Sequence, residues 1–243
     1  NLGFVTISNE ETMLPLLLKE PKLGGFAPLN YLIYKKISET KTYVGTLTPQ
    51  AMLDITGVKD SKVRKEFTAM IDALSKATDE GMGGKVEYIE IDKLNDNTML
   101  EFEMPFNRGE DLLEAKYDFM EKFEKAFEDE DYIIAGKRDF KEYWTDEELK
   151  SDRFDAYWVY SLCHFTFSYT VFNVWQQPEL GASAPCSMYM YLEKGSNTLK
   201  IGMPSVNNWI TLGKITDPKK LAFIKAMDEK IISIMKSLGA KKI

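Results

Sequence analysis

Soft metal ligands are scarce in this chain. Its 243 residues contain two Cys and one His, too few for a disulfide scaffold or a four-ligand zinc site. Excess positive charge is missing as well. The formal net charge is −7 and the isoelectric point about 5.0. That opposes nonspecific binding to nucleic acid or an anionic membrane, since both require clustered Lys and Arg. No apolar run approaches the length of a membrane span, and the sequence contains no signal peptide. A Walker loop, the dinucleotide glycine pattern, a serine nucleophile elbow and a metal-binding His pair are also missing. No cofactor is therefore assigned, and the expected role is non-catalytic. An initiator Met is lacking too, and Asn1 opens inside an apolar stretch. Few Cys suits the cytoplasm, whereas a missing Met suits an exported, processed protein.

What is there is a repeat. Pro178-Glu179-Leu180-Gly181-Ala182-Ser183-Ala184-Pro185-Cys186 answers to Pro21-Lys22-Leu23-Gly24-Gly25-Phe26-Ala27-Pro28-Leu29. The offset of 157 holds without a gap from Pro21 to Leu74, and 11 of those 54 positions are identical. Chance gives roughly three at ordinary residue frequencies. An internal repeat fixes the architecture before anything else is read. It divides the chain into an N-terminally incomplete first copy over 1–80, a linker and strand over 81–97, and a complete second copy over 98–243. Further upstream a two-residue gap is needed, which sets Ser8 and Asn9 opposite Cys163 and His164.

Apolar alternation and turn residues place strands at 2–7, 29–35, 42–47, 86–91, 100–106, 132–135, 156–162, 187–192 and 199–203. Helices are expected over 10–18, 49–55 and 165–175, after Asp60, after Asn107, and after Asp217-Pro218, with a helical segment or loop over 139–150. Asn107 and Glu110 have capping-box spacing. The helix they open is expected to bury Leu113, Tyr117, Met120, Phe123 and Phe127. The last helix is expected to bury Leu221, Ile224, Met227, Ile231, Met235 and Leu238. Strands gathered between long amphipathic helices argue an α+β fold, its antiparallel sheet covered on one face. The first copy lacks a counterpart of 98–135. Alone, Leu32, Val44 and the face around Phe67 would be partly bare, so a cover is expected: roughly 60 residues upstream, the favoured source, 86–91 folding back, or a partner chain.

Ser161-Leu162-Cys163-His164, the helix after it, and Ala184-Pro185-Cys186 entering a strand resemble the domain of unknown function 302 family. That pattern has a Cys followed by a polar residue and often Pro, then a helix, then Pro-Cys before a strand. Phe165 stands where the Pro often is, and His164 where Asn is common. The resemblance covers residues 98–240 and reaches 2–74 through the repeat. It implies a curved antiparallel sheet with two helices in each copy, like half of the TATA-binding-protein saddle. It also implies small, often dimeric members, and it supplies a fold without assigning an activity. At a net charge of −7 the saddle carries no expectation of DNA binding.

Two sets of residues are candidates for function. Cys163, His164 and Cys186 could form a reactive thiol pair or a two- or three-ligand metal site. As small buried hydrophobes, the two thiols would be inert. Cys163 and Cys186 are expected to lie close in space where their strand ends meet. The aromatic set, with Trp158, Tyr160 and Tyr169 and the nearby Met188, could line a pocket for an apolar or planar ligand. It could equally be core or an interface with a protein partner. The leading expectation is binding of a small ligand or protein partner through the second copy. Redox or metal handling, and a structural or assembly role, are the alternatives.

Overall fold

The computed structural model describes residues 2–145 and 151–243. Two antiparallel sheets organise them. The smaller contains β1 (Leu2–Ile7), β2 (Leu29–Tyr34) and β3 (Tyr43–Gly45), in that order. Between β1 and β2 run α1 (Glu10–Lys19) and a 3-10 turn, Pro21–Phe26. After β3 come α2 (Pro49–Thr56) and α3 (Ser61–Met82).

The larger sheet is built from the rest. Its elements are β4 (Met99–Pro105), α4 (Leu112–Glu128), β5 (Tyr132–Asp139), β6 (Phe154–His164), α5 (Phe165–Tyr169), β7 (Cys186–Glu193), β8 (Thr198–Pro204), α6 (Asn208–Leu212), α7 (Pro218–Ser237) and β9 (Lys241–Lys242). The strand order is β5-β6-β7-β8-β4-β9. A π-helical turn, Thr170–Val174, and a 3-10 turn, Pro178–Ser183, link α5 to β7. The fold is thus α+β with antiparallel sheets. Among the described residues no helix is long and apolar enough to cross a membrane.

The pairings of the two sheets agree position by position. Ile7 faces Leu29 in the small sheet and Leu162 faces Cys186 in the large one. Leu32 faces Gly45, and Tyr189 faces Gly202. Partners in β2, β3, β7 and β8 differ by the offset of 157, and those in β1 and β6 by 155. A register that held a different count would flip every side chain to the other face. The caps agree too. Asp60 accepts from the amides of Lys62 and Val63 at the start of α3, and Asp217 from those of Lys219 and Lys220 at the start of α7. Each satisfies orphan donors of the first turn.

The halves meet through their 3-10 turns. A Cβ on Gly24 would lie 2.1 Å from the Tyr157 hydroxyl and 2.6 Å from Tyr189 Cβ. One on Gly181 would lie 2.7 Å from Leu32 Cδ1 and 3.5 Å from Phe4 Cε1. Each turn therefore rests on the other half's sheet. Tyr157 Oη donates to the Pro21 carbonyl at 2.7 Å, and Asn30 Nδ2 to the Pro185 carbonyl at 3.2 Å. The peptide bonds Ala27-Pro28 and Ala184-Pro185 are both cis.

Several expectations need correcting. Leu32 and Phe67 are buried, and the cover described comes from the other half, which was not among the covers expected. The core around Phe67 is completed from the other half by Phe140, Trp144, Phe154, Tyr157 and Tyr189. Residues 86–91 form no strand, and Tyr88 and Ile89 are exposed, because alternation without a ladder partner does not make a strand. Asn107 caps no helix. Its Oδ1 accepts from Gly109 N, and Asp111 caps α4 instead. Starting there, α4 buries Lys116, Phe119, Met120, Phe123 and Phe127, and leaves Leu113 and Tyr117 exposed. Leu221 and Leu238 are only partly buried beside α7's core face. The segment expected over 139–150 holds a 3-10 turn, Lys141–Thr145, and 146–150 lie outside the described residues, as does Asn1.

Replacing Gly24 by Ala should destabilise the protein by about 1–3 kcal/mol, the cost of overpacking a filled core. Gly45→Ala, with nothing within 4 Å of the added atom, should stay within about 0.5 kcal/mol of the parent. Urea unfolding of both variants measures the contrast.

Candidate functional site

The candidate residues gather where β6 runs into α5. Along β6 alternate side chains point to opposite faces. Trp158 and Tyr160 turn toward α4, where Trp158 meets Phe119 edge-on at 6.3 Å and Tyr160 stacks on Phe123 at 4.7 Å. Met188, the cross-strand partner of Tyr160, is buried beside them. All three sit in the core, so they line no surface pocket. Burial raises the Tyr160 phenol above its ordinary value, and its hydroxyl donates to Glu124 Oε1 at 2.7 Å.

Cys186 opens β7 directly opposite Leu162, so these two share a face, packed with the main core. Cys163 is one position further on and pairs with the exposed Ile133. Alternation therefore sends the two thiols to opposite faces. Both are free: Cys163 Sγ lies 3.4 Å from Ser168 Oγ, and Cys186 Sγ 3.9 Å from the Ser183 carbonyl. Burial pushes the Cys186 thiol up to about 12, with the Cys163 and Asp228 charges adding to it. At neutral pH such a thiol holds almost no thiolate, the nucleophilic and metal-binding form. Among the described residues no three His, Cys, Asp or Glu side chains are grouped as a metal site.

His164 caps α5. Its Nδ1 accepts from the Phe167 amide at 3.3 Å. Asn9 does the same for α1, accepting from the Thr12 amide at 3.2 Å through Oδ1. An acceptor ring nitrogen requires the neutral imidazole. Burial and the Lys230 ammonium lower the His164 value and so hold it in that form. The ring also meets Tyr132 edge-on at 4.9 Å.

Tyr169 differs from the other aromatics. It is 55% exposed and stacks on Phe165, 63% exposed, at 6.4 Å between centroids. Val174, at the end of the π turn, is equally bare. Of these three, the aromatic set read from the sequence held Phe165 and Tyr169 and missed Val174. The cue to Val174 was the comparison of α5 with α1, where Glu10, Leu14 and Lys19 hold the matching places.

A cavity of about 20 Å³ lies between the halves, lined by Asn30, Cys186, Ser187, Pro204 and Trp209 among others. It has room for a single water, not for an organic ligand. Asp228 lies behind it, buried in α7. It accepts from Ser205 Oγ and the Val206 amide, and burial raises its carboxyl value despite those bonds.

No family model matches the sequence, and no curated protein matches it. Among solved structures the chain is similar to the crystal structure of an uncharacterized conserved DUF302 protein from Bacillus stearothermophilus, at 15% identity. The match covers 57% of this chain and 96% of that chain, with a TM-score of 0.45.

Two outcomes are expected here. Cys186 should resist thiol reagents in the native protein and react only on unfolding, as counted by labelled mass with and without denaturant. His164→Ala should cost about 1 kcal/mol, the usual worth of an N-cap, while His164→Asn, which restores the Asn9 arrangement, should cost little.

Proposed function

We propose that the chain is a non-catalytic binding protein made of two copies of one unit, and that the second copy takes a protein partner on the exposed aromatic face of α5. Each copy is read as a half-saddle of antiparallel strands under helices, over 1–80 and 98–243, with 81–97 between them. Support for two copies comes from the shared strand registers, the paired aspartate caps and the reciprocal glycine contacts.

One observation carries the choice of face. In the first copy α1 is covered by polypeptide. Leu14 is fully buried in the core that holds Phe140 and Trp144, Arg138 donates to Glu10, and Arg153 donates to the Leu18 carbonyl. In the second copy the matching positions of Glu10, Met13, Leu14 and Lys19 are Phe165, Ser168, Tyr169 and Val174, and three of these four are exposed and apolar or aromatic. Aromatic residues are enriched in interface cores, and a rimmed apolar patch on a soluble protein marks an interaction surface. A small ligand is disfavoured, because Trp158, Tyr160 and Met188 are already packed.

Photo-cross-linking in the native host tests the proposal. A benzophenone side chain at Tyr169 should give a discrete protein adduct that Phe165→Asp abolishes. The same probe at Tyr88, which is 79% exposed, should not give it. No adduct, or the same adduct at both positions, sinks the reading.

A further inference from the structure

The small cavity between the halves is built from both of them. At the offset of 157, Asn30 matches Ser187, Leu29 matches Cys186 and Phe26 matches Ser183, and all six residues line it. Alternation along β7 puts Ser187 on the same face as Tyr189, on which the Gly24 turn of the first half rests. Ser187 is 2% exposed, and its hydroxyl has no hydrogen-bond partner among the described residues. The Ser183 hydroxyl and Asn30 Oδ1 are likewise buried and unpaired. The Asn30 amide cannot turn over to relieve this. Its Nδ2 donates to the Pro185 carbonyl, which fixes the atom that is left. Pro185 stands midway between Ser183 and Ser187, so the amide of one half lies beside the stretch that carries both hydroxyls of the other. Buried oxygens without partners are costly, and here three border one space of about 20 Å³.

We infer that this cavity is a binding site for one structural water, which joins Asn30 of the first half to Ser183 and Ser187 of the second. The inference is independent of what α5 binds. Size and chemistry both select the occupant. The volume suits a single water. Asn30 Oδ1 only accepts, so the occupant must donate to it. Each serine hydroxyl can donate or accept, so the occupant donates to one and accepts from the other. Water has both donors and the acceptor, and satisfies all three oxygens at once. A cation would have no acceptor to offer and no partner for its charge, because no residue lining the cavity is charged. An anion would meet the Asn30 carbonyl oxygen with no donor of its own. The water thus adds a link between the halves beside the Tyr157–Pro21 and Asn30–Pro185 hydrogen bonds.

Oxygen-17 magnetic relaxation dispersion on the full chain tests this, since it counts waters held for longer than the protein takes to tumble. Ser187→Val, whose branched side chain fills the space, should lose one such water relative to the parent. An unchanged count overturns the inference. Should that variant fail to fold, Ser187→Ala decides by the sign of its effect on urea unfolding. If a water is held, loss of the hydroxyl takes away one of its partners and the midpoint falls. If the hydroxyl is an orphan in a dry space, its loss relieves a penalty and the midpoint holds or rises, which overturns the inference. Ser183→Ala should also lower the midpoint, and the double variant should lose less than the two losses added, because both act on one water. Strictly additive losses overturn the shared site. A midpoint that rises with added sodium or potassium at constant ionic strength, and does so only while Ser187 is present, overturns water as the occupant.

Discussion

Backbone packs directly on side chain where the two halves meet, and only glycine permits it. Gly24 lies on Tyr157 and Tyr189, and Gly181 on Leu32 and Phe4. A methyl group at either place would overlap atoms that are themselves fixed in a close-packed interior. That approach sets the spacing of everything nearby. It brings the Pro21 carbonyl within reach of the Tyr157 hydroxyl, the Pro185 carbonyl within reach of Asn30, and Lys22 to within 2.7 Å of Glu101. It also explains why the core around Phe67 draws on both halves. The core around Phe67 is incomplete without the other half, so a fault in the Gly24 turn, which rests on Tyr157 and Tyr189, is felt in it.

Local chemistry could be read ahead of the structure. Asp60 and Asp217 announce their helices, because an acceptor side chain before a periodic run has one efficient use. The face of α7 through Ile224, Met227, Ile231 and Met235 follows from spacing alone. Long-range choices could not be read. Phe119 displaces Tyr117 from the buried face of α4, and both are aromatic, so only the sheet beneath decides between them. Residues 86–91 alternate correctly, but a strand exists only by its partner. Trp158 and Tyr160 advertise a binding surface by composition, and α4 fills the space above them. The gap that sets Asn9 opposite His164 was visible in the sequence. Its meaning as a shared helix cap required the hydrogen bonds.

Differences between matching positions separate into two kinds. Some are interior accommodations. Asp228 stands where Ile71 stands, and its carboxylate anchors the turn into α6 at the cost of a raised value. Cys186 stands where Leu29 stands, and its thiol is pushed up by burial. Both groups are spent on packing, and neither meets a space large enough for an organic substrate. The other kind lies outside. Leu14 is buried while Tyr169 is exposed, and Glu10 has an arginine partner while Phe165 has only its neighbouring ring.

An exposed aromatic pair is not an accommodation of the fold. Phe165 and Tyr169 leave apolar area in water at about 25 cal/mol per Å², and such patches promote unwanted association. A polar residue at either place would relieve that cost, as Glu10 does in α1. The stability of α5 does not require the rings either, since the helix is anchored through Phe167, Val171 and Phe172, which face the core, and through the cap from His164. The rings therefore answer to something other than the interior.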